Sequence, residues 1–480
     1  MKIICRPEFK NDLEELLRAF SQKSADEDTA CGILIDYTVN NTTGEISASA
    51  NYLSRQYAAT ERAASLWQIP LKRQIKRMLK KLLYGLLSDV TGISLPYGSL
   101  TGVRPTKLAY ELFETEGNYG AAADGLAGYY GVSPEKARLI VEILQNQRGV
   151  YRRDTELADV YINIPFCRTR CSYCSFVTTD ISRTRKLVEP YTDCLLRELD
   201  AVFELTGGRC RALYIGGGTP TAIDDASLER VLRSASRFSF GEFTVEAGRP
   251  DTITDGNLAL IKDFGANRIS INPQTFNQKT LDIIGRGHTV ADIYSAYERA
   301  AKFGFVINAD LIAMLPGETA ADFLESVSSC VRLNPDNITV HNLALKRGSR
   351  LKLESLEPNE NAASAASLIT ETASAASLMT DGAYKILKAA GYSPYYMYRQ
   401  KYMSGNLENC GYTKPGRACV YNIDVMEETH CIAAVGAGSI SKLVSGEKIE
   451  RQADVKDIGG YIERIDELID KKQNFFKGAL

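Results

Sequence analysis

From residue 158 onward, apolar and polar positions fall into a regular alternation. Short runs rich in β-branched and aromatic residues occur at 159–164, 212–215, 242–246, 267–271, 306–311 and 338–342. Stretches of helical period lie between them, near 188–206, 225–237, 255–264, 290–303 and 320–333. Strands that alternate with helices predict βαβ units and a parallel sheet. Such a sheet presents its active residues at the carboxyl ends of its strands. The interval after the first strand is wide enough for a loop that carries chemistry.

The pattern differs on either side. Near the N-terminus, 33–37 and 45–49 read as strands joined by the turn-forming run Asn40-Asn41-Thr42-Thr43-Gly44. Leu71, Ile75, Leu79, Leu82 and Leu86 mark one face of a helix. Lys72, Arg73, Lys76, Arg77, Lys80 and Lys81 occupy its other face, which reads first as a solvated face and second as a surface for an acidic ligand or donor. Ser133-Pro134 starts another helix, to about Arg148. Beyond 350 the alternation stops. An Ala/Ser-rich helical stretch covers 358–390, a Tyr-rich segment runs from Tyr392 to Tyr402, and an amphipathic helix closes the chain at 458–470. These shifts predict an N-terminal α+β extension (1–155), a core (156–350) and a mostly helical C-terminal domain (351–480).

At 480 residues the chain has room for roughly three domains of about 150. A composition of 44% hydrophobic and 24% charged residues excludes collagen-like, coiled-coil and fully disordered chains. The net charge of −2 argues against a nucleic-acid coat or a membrane-surface protein. No apolar run approaches the ~18 residues of a membrane span, and the N-terminus lacks a signal-peptide core. A cytoplasmic protein is expected, with no nucleic-acid partner and a monomer as the default. Eleven cysteines scattered over a chain this long do not read as a disulfide framework.

Three of those cysteines crowd together. Cys167, Cys171 and Cys174 form C-x3-C-x2-C in YINIPFCRTRCSYCSF, directly after the first core strand. Three thiolates on one short loop can hold three irons of a [4Fe–4S] cube and leave the fourth open to a small molecule. Structural zinc takes four protein ligands, and no adjacent Cys or His completes such a set. Three unrelated core cysteines are the plain alternative.

C-x3-C-x2-C at the end of the first strand of a six-strand alternation resembles the radical S-adenosylmethionine (radical SAM) superfamily. Tyr161, Ile164-Pro165-Phe166 and Tyr173 narrow the resemblance to the oxygen-independent coproporphyrinogen III oxidase (dehydrogenase) family. The segments Leu100-Thr101-Gly102-Val103-Arg104-Pro105-Thr106-Lys107, His341 to Ser349, and Tyr398-Arg399-Gln400-Lys401 are similar to its HemZ-type branch. Two departures stand out: Asn163 occupies a position that is His in the oxidase type, and a further Cys near Phe176 is missing.

The resemblance implies a partial (β/α)6 TIM-like barrel with a [4Fe–4S] cluster and SAM as cofactors. It implies that Gly217, Gly218 and Thr219 of the Gly216–Pro220 turn approach the methionyl end of SAM, where the glycines let backbone come close. Glu246 resembles a SAM-binding glutamate; read alone, it is a strand-end cap or a surface group. Tyr161, Tyr173, Gln274, Arg286, Asp310 and Ala344 fall at positions that line the SAM pocket, some against a second SAM. Read alone, Arg286 and Asp310 are ordinary ion-pair members. Tyr161, Asn163 and His341 are the candidates for work on substrate, although a structural histidine is the plain reading of His341.

The implied reaction is oxidative decarboxylation of coproporphyrinogen III propionates to vinyl groups, giving protoporphyrinogen IX in anaerobic haem biosynthesis. It would draw on an electron donor such as flavodoxin or ferredoxin. Two alternatives share the same cluster and SAM motifs: a HemW-type haem-binding chaperone and a haem-degrading radical SAM methyltransferase. A tetrapyrrole with four propionates calls for basic partners. Arg104, Lys107, Lys346, Arg347, Arg399, Lys401 and Lys414 are the candidates, supplied by terminal domains expected to close over the barrel mouth. A haem carrier would need an axial ligand from His288, His341 or His430, the three histidines of the chain.

Overall fold

Four strands open the chain: β1 (Lys2–Ile4), β2 (Gly32–Asn40), β3 (Glu45–Tyr52) and β4 (Arg55–Arg62). They form one sheet in that order, with β1 parallel to β2 and the rest an antiparallel meander. In this computed structural model residues 1–21, 32–62, 70–102, 104–153, 156–176, 178–344, 349, 351, 363–400, 407–446 and 448–480 are described. Cys31, Val103, Leu345 to Gly348 and Lys401-Tyr402 lie outside them, and with them the candidate cations Lys346, Arg347 and Lys401. The described chain divides into two compact units, one holding Met1–Gln145 with Pro358–Ser377 and Met397–Glu408, the other the remainder.

In the first unit the inner face of the sheet (Ile33, Ile35, Ile46, Ala48, Ala50) packs on helices Pro7–Ser21 and Leu71–Thr91. The apolar face of the second helix is buried as its period requires: Ile75, Leu79, Leu82 and Leu86 are each at most 8% exposed. The opposite, basic face is not simply solvated, which corrects the first reading of the sequence. Arg77 is buried against Glu61 and lies over the Tyr129 ring at 4.7 Å. Arg73 pairs with Glu111 at 2.6 Å and Lys76 with Asp12 at 3.4 Å. Lys80 and Lys81 donate to Thr101 Oγ1 and the Gly128 carbonyl. Burial lowers the Lys80 ammonium to about 8. These cations join the helix to its neighbours, a use that periodicity alone cannot separate from solvation.

Arg399 belongs to the same unit. It is buried, its guanidinium lies over the Tyr97 ring at 4.2 Å, and Nη1 donates to the Leu100 carbonyl at 2.7 Å. The motifs around 100–107 and 398–400 therefore meet here. Arg399 is tied to this unit through Nη1 and its planar face.

The second unit is built on one long sheet. Its parallel strands are β5 (Asp159–Ile164), β8 (Ala212–Gly217), β9 (Glu242–Glu246), β10 (Arg268–Ser270), β11 (Val306–Ala313) and β12 (Asn337–Asn342), paired in that order. Two short strands, β6 (Phe166–Cys167) and β7 (Thr179–Asp180), pair in the loop after β5. Helices Val188–Leu205, Asp225–Ala235, Asp255–Asp263, Val290–Lys302 and Ala320–Leu333 return between them. The starts of the last four are set by side-chain caps at Asp224, Thr254, Thr289 and Thr319, the last three with reciprocal bonds from the third helical residue.

The C-terminal region contributes more than helices. β13 (Ser393–Tyr398) and β14 (Asn409–Thr413) extend the sheet beyond β12, with β14 antiparallel to it. β15 (Ile432–Val435) pairs parallel with β5, followed by antiparallel β16 (Ile440–Ser445) and β17 (Lys448–Ala453).

A buried charge cluster fastens this tail. Lys472 donates to Glu198 Oε1 at 2.5 Å, to Asp454 Oδ2 at 2.9 Å and to the Ala434 carbonyl. Glu198 Oε2 receives the Tyr461 hydroxyl and the Gly436 N–H. Lys472→Met would leave two carboxylates facing each other without a cation. It should cost about 3–5 kcal/mol, read as a fall in the denaturant midpoint; a change under about 1 kcal/mol would contradict the assignment.

Candidate functional site

Register brings the candidate residues together. In the β5–β8 ladder Tyr161 is the partner of Tyr214 and Asn163 that of Gly216. Glu246 ends β9, and on the far strands Ile312 is the partner of His341. Asp310 Oδ2 lies 3.6 Å from His341 Nε2. Tyr161, Tyr214, Glu246, Asp310 and His341 are all half-buried. A Cβ at Gly216 would lie 2.7 Å from Glu246 Oε2 and 2.8 Å from the Tyr214 ring, so these two side chains adjoin.

The cysteine loop is pinned at both ends. Thr179 donates to the Pro165 carbonyl and Ser172 to that of Ile284. Arg249 Nη1 donates to Thr169 Oγ1 at 2.6 Å, and Thr169 Oγ1 donates to the Gly285 carbonyl at 3.2 Å. Thr219 Oγ1 donates to Cys167 Sγ at 3.6 Å. Burial pushes the Cys174 thiol up to about 11 and that of Cys167 upward as well, and the neighbouring cysteines add to both shifts. Among the described residues no three His, Cys, Asp or Glu side chains converge on a single ion.

The glycine turn lies directly on this loop. Gly218 N–H donates to the Ile164 carbonyl at 2.8 Å and Thr219 N–H to that of Phe166 at 2.7 Å. Gly217 has φ +110°, a conformation open to glycine. A Cβ there would lie 2.0 Å from Asn163 Oδ1, and one at Gly218 would lie 2.5 Å from the Phe166 carbonyl oxygen. The turn therefore leaves space that only backbone can border.

Burial and then Asp310 raise the Glu246 carboxyl to about 8, against the opposing charge of Arg286 and the Gly217 N–H. Asn272 Nδ2 donates to Glu246 Oε1 at 3.4 Å. Gln274 has φ +69°, uncommon outside glycine; its N–H donates to the Asp310 carbonyl and its own carbonyl receives Ile312 N–H. Gln274 Oε1, Asn272 Oδ1 and Arg286 Nε are buried with no partner among the described residues. Such orphaned groups beside a glycine cradle and a carboxyl suit a polar ligand with its own donors and acceptors.

Arg286 differs from its expected role in detail. Nη1 donates to the Gly248 and Asn272 carbonyls and Nη2 to the Tyr173 hydroxyl at 3.1 Å. Its fork already braces two strand-end loops to the cysteine loop. Asn163 is fully engaged: Nδ2 donates to the Ala437 carbonyl and Oδ1 accepts from the Tyr161 hydroxyl. Ala344 is half-buried just past β12.

Other candidates stand apart. Lys414 donates to the Asn334 carbonyl at 2.8 Å, where helix Ala320–Leu333 ends, so it caps that helix instead of offering a free cation. His430 is buried between Thr429 and Asp424. His288 is buried 3.7 Å from Asp251. Both are shut off from solvent, and of the three histidines His341 is the one with an accessible side chain. Arg104 and Lys107 are half-buried where helix Pro105–Glu116 begins. Sequence reasoning missed Tyr214 and Tyr421, which stack on each other at 4.5 Å and on Tyr161 at about 6 Å. Tyr214 carries a parity signal, two residues before Gly216 on the same face; Tyr421 comes from helix Val420–Glu427 with no such signal.

Residues 161–330 match the family model of the radical SAM superfamily. The solved coproporphyrinogen III oxidase (HemN) of Escherichia coli, a radical SAM enzyme, superposes with a TM-score of 0.52 at 21% identity, over 66% of this chain and 71% of that one. The fold is that of a radical SAM protein, a superfamily with a [4Fe–4S] cluster and SAM as cofactors. The oxygen-independent coproporphyrinogen-III oxidase-like protein HemZ of Bacillus subtilis is 36% identical over 420 residues, 84% of this chain and 82% of that one. The heme chaperone HemW of the same organism is 34% identical over 40% of this chain and 51% of its own. The chain belongs to the HemZ-like, coproporphyrinogen-oxidase-related family of radical SAM proteins. Among its described residues no helix is long and apolar enough to cross a membrane.

The raised Glu246 carboxyl has a measurable consequence. Between about 4.5 and about 8 the folded protein keeps a proton that the unfolded chain has lost, so this group lowers stability as pH rises through that window. Glu246→Gln should flatten that part of the stability–pH curve measured by denaturant titration. Glu246→Ala should keep its iron while SAM affinity drops ten- to a hundredfold, as expected for a bond of about 1.5–3 kcal/mol to a charged group. Unchanged SAM affinity would leave Glu246 a structural carboxyl.

Proposed function

We propose that this protein is an oxygen-independent coproporphyrinogen III dehydrogenase, converting propionate side chains to vinyl groups by oxidative decarboxylation. The observation that carries this reading is the extent of similarity to the coproporphyrinogen-III oxidase-like HemZ, which spans most of both chains. When bound, the cluster and SAM supply the one-electron cleavage and the 5′-deoxyadenosyl radical that removes a hydrogen atom from the substrate. Cys167, Cys171 and Cys174 hold the cluster. Backbone of Gly217, Gly218 and Thr219 borders SAM, Glu246 binds it, and Gln274 and Asp310 offer further polar contacts. Arg286 holds Tyr173 and the strand-end loops in position. Ala344 borders the same space. Tyr161 is oriented by Asn163, whose Oδ1 accepts a hydrogen bond from its hydroxyl. His341, held beside Asp310 with its side chain accessible, is the group of this chain placed to donate to a substrate carboxylate.

A second reading, haem delivery, is favoured by the similarity to HemW over part of the chain. His341 separates the two. Under the dehydrogenase reading, His341→Ala should still cleave SAM but lose about 10²–10⁴-fold in vinyl formation. Haem binding that disappears with His341, in a protein that never forms vinyl groups, would replace the dehydrogenase reading by the carrier.

A further inference from the structure

The turn after β9 carries a buried charge pair that takes no part in the proposed chemistry. Arg249 and Asp251 flank Pro250, shortly beyond Glu246. Their side chains are 4% and 10% exposed. Arg249 Nε donates to Asp251 Oδ1 at 3.0 Å and Nη2 to Oδ2 at 3.2 Å, a bidentate pair. Against burial, its neighbours hold the Asp251 carboxyl well below the usual range, so it carries its charge. His288, 3.7 Å from Asp251, is pushed down by burial and is neutral at neutral pH. The pair is thus one fixed cation and one fixed anion.

Both members reach the cysteine loop. Arg249 Nη1 donates to Thr169 Oγ1 at 2.6 Å and to the Thr169 carbonyl at 3.2 Å. In return Arg168 Nη1 donates to the Asp251 carbonyl at 2.8 Å. Thr169 lies midway between Cys167 and Cys171, so each cysteine is at most ~7 Å of chain away. A Cβ at Gly287 would lie 3.6 Å from Arg249 Nη2, so the guanidinium is wedged between the loop and residues 285–288. The turn itself is fixed. Thr252 Oγ1 donates to the Arg249 carbonyl at 2.8 Å and pairs with Thr221 Oγ1 at 2.7 Å.

Stability alone does not account for this arrangement. Desolvation offsets most of the attraction within a buried ion pair, so such pairs add little to stability. What a fixed charge does change is the electron affinity of a metal centre beside it. Net charge nearby and solvent exposure set the potential of an iron–sulfur centre, and groups beyond the ligands tune it. A cation held against the loop favours the reduced, more negative state, and an anion disfavours it. Salt screens buried charges far less than exposed ones such as Arg168, which is 60% accessible.

We propose that Arg249 and Asp251 are a positioning pair whose opposed fixed charges set the reduction potential of the centre held by the cysteine loop. The inference rests on the assignment of Cys167, Cys171 and Cys174 as ligands and not on the tetrapyrrole reading. Arg249 draws the potential up and Asp251 draws it down.

The test is a redox titration of the reconstituted full-length protein without SAM, read by electron paramagnetic resonance, with iron counted on the same samples. Arg249→Gln should lower the midpoint potential and Asp251→Asn should raise it, with the double variant between them. Arg249→Lys, which keeps the charge, should stay nearer the wild type than Arg249→Gln. Loosening of the loop would expose the centre to water and move both single variants the same way. Shifts of one sign, or no shift, would overturn the proposal. Should Arg249→Gln hold too little iron to titrate, Asp251→Asn decides alone, because its amide keeps an acceptor for Arg249. A raised potential there supports the pair; an unchanged or lower one, or lost iron, overturns it. A wild-type protein that assembles no cluster would strike the cysteine assignment itself, and the pair's role with it. Loss of tetrapyrrole conversion alone would bear on the dehydrogenase reading and leave the pair standing.

Discussion

Replacing any one of Cys167, Cys171 or Cys174 by Ala should remove the visible absorbance of the cluster and all SAM cleavage. Two thiolates cannot hold three irons of the cube. The effect should be complete, because the electron that starts the reaction enters through this centre. Cys194, Cys210 and Cys330 are buried among apolar groups of the barrel or its helices. Their Ala variants should keep both iron and SAM cleavage, with losses confined to stability. Iron content and deoxyadenosine formation, measured after anaerobic reconstitution, decide the matter. If one of these buried cysteines proves as necessary as the trio, the ligand assignment fails.

Gly218→Ala is expected to have the next largest effect. A Cβ at that position meets backbone atoms of Phe166, at 2.5 Å from the carbonyl oxygen and 2.9 Å from the nitrogen. Neither atom belongs to a flexible side chain, so the cysteine loop itself must move. Gly218 N–H and Thr219 N–H are the bonds that seat that loop on the turn. SAM affinity should fall at least ~tenfold and iron retention should fall with it, a joint loss that Glu246→Ala does not share. Binding titration and iron analysis on the same preparation test this. Full iron with normal SAM affinity would mean that the turn is more yielding than its contacts imply.

The barrel was legible in the sequence for a physical reason. Strands buried on both faces read as near-continuous apolar runs, and capped helices announce their starts. β5 and β9 fall at 159–164 and 242–246, as their patterns indicate. β4, RQYAATER, was not legible, because its apolar positions are sparse and its place is set by pairing with β3. β13 to β17 were hidden for a similar reason. Segments such as IAAV at 432–435 become strands because β5 offers them an edge.

Within the site, the cysteines, the glycine turn and Glu246 were marked by spacing and strand ends. The cations were misjudged. Arg399, Lys414 and the basic face of helix Leu71–Thr91 all have a charge that a sequence displays and partners that it conceals. Carbonyl oxygens and ring faces carry no sequence signal, so a buried arginine tie looks the same as a ligand-binding one. The two Nη groups of Arg286 are a further instance, split between carbonyls and Tyr173.

The central claim is a reaction, and its products test it most directly. Reconstituted protein is incubated anaerobically with SAM, a low-potential reductant and coproporphyrinogen III, and the tetrapyrroles are separated and identified. The account predicts protoporphyrinogen IX, with the singly decarboxylated tricarboxylic intermediate appearing first and deoxyadenosine formed alongside. Recovery of unaltered coproporphyrinogen III from protein that carries a full cluster and cleaves SAM would contradict it.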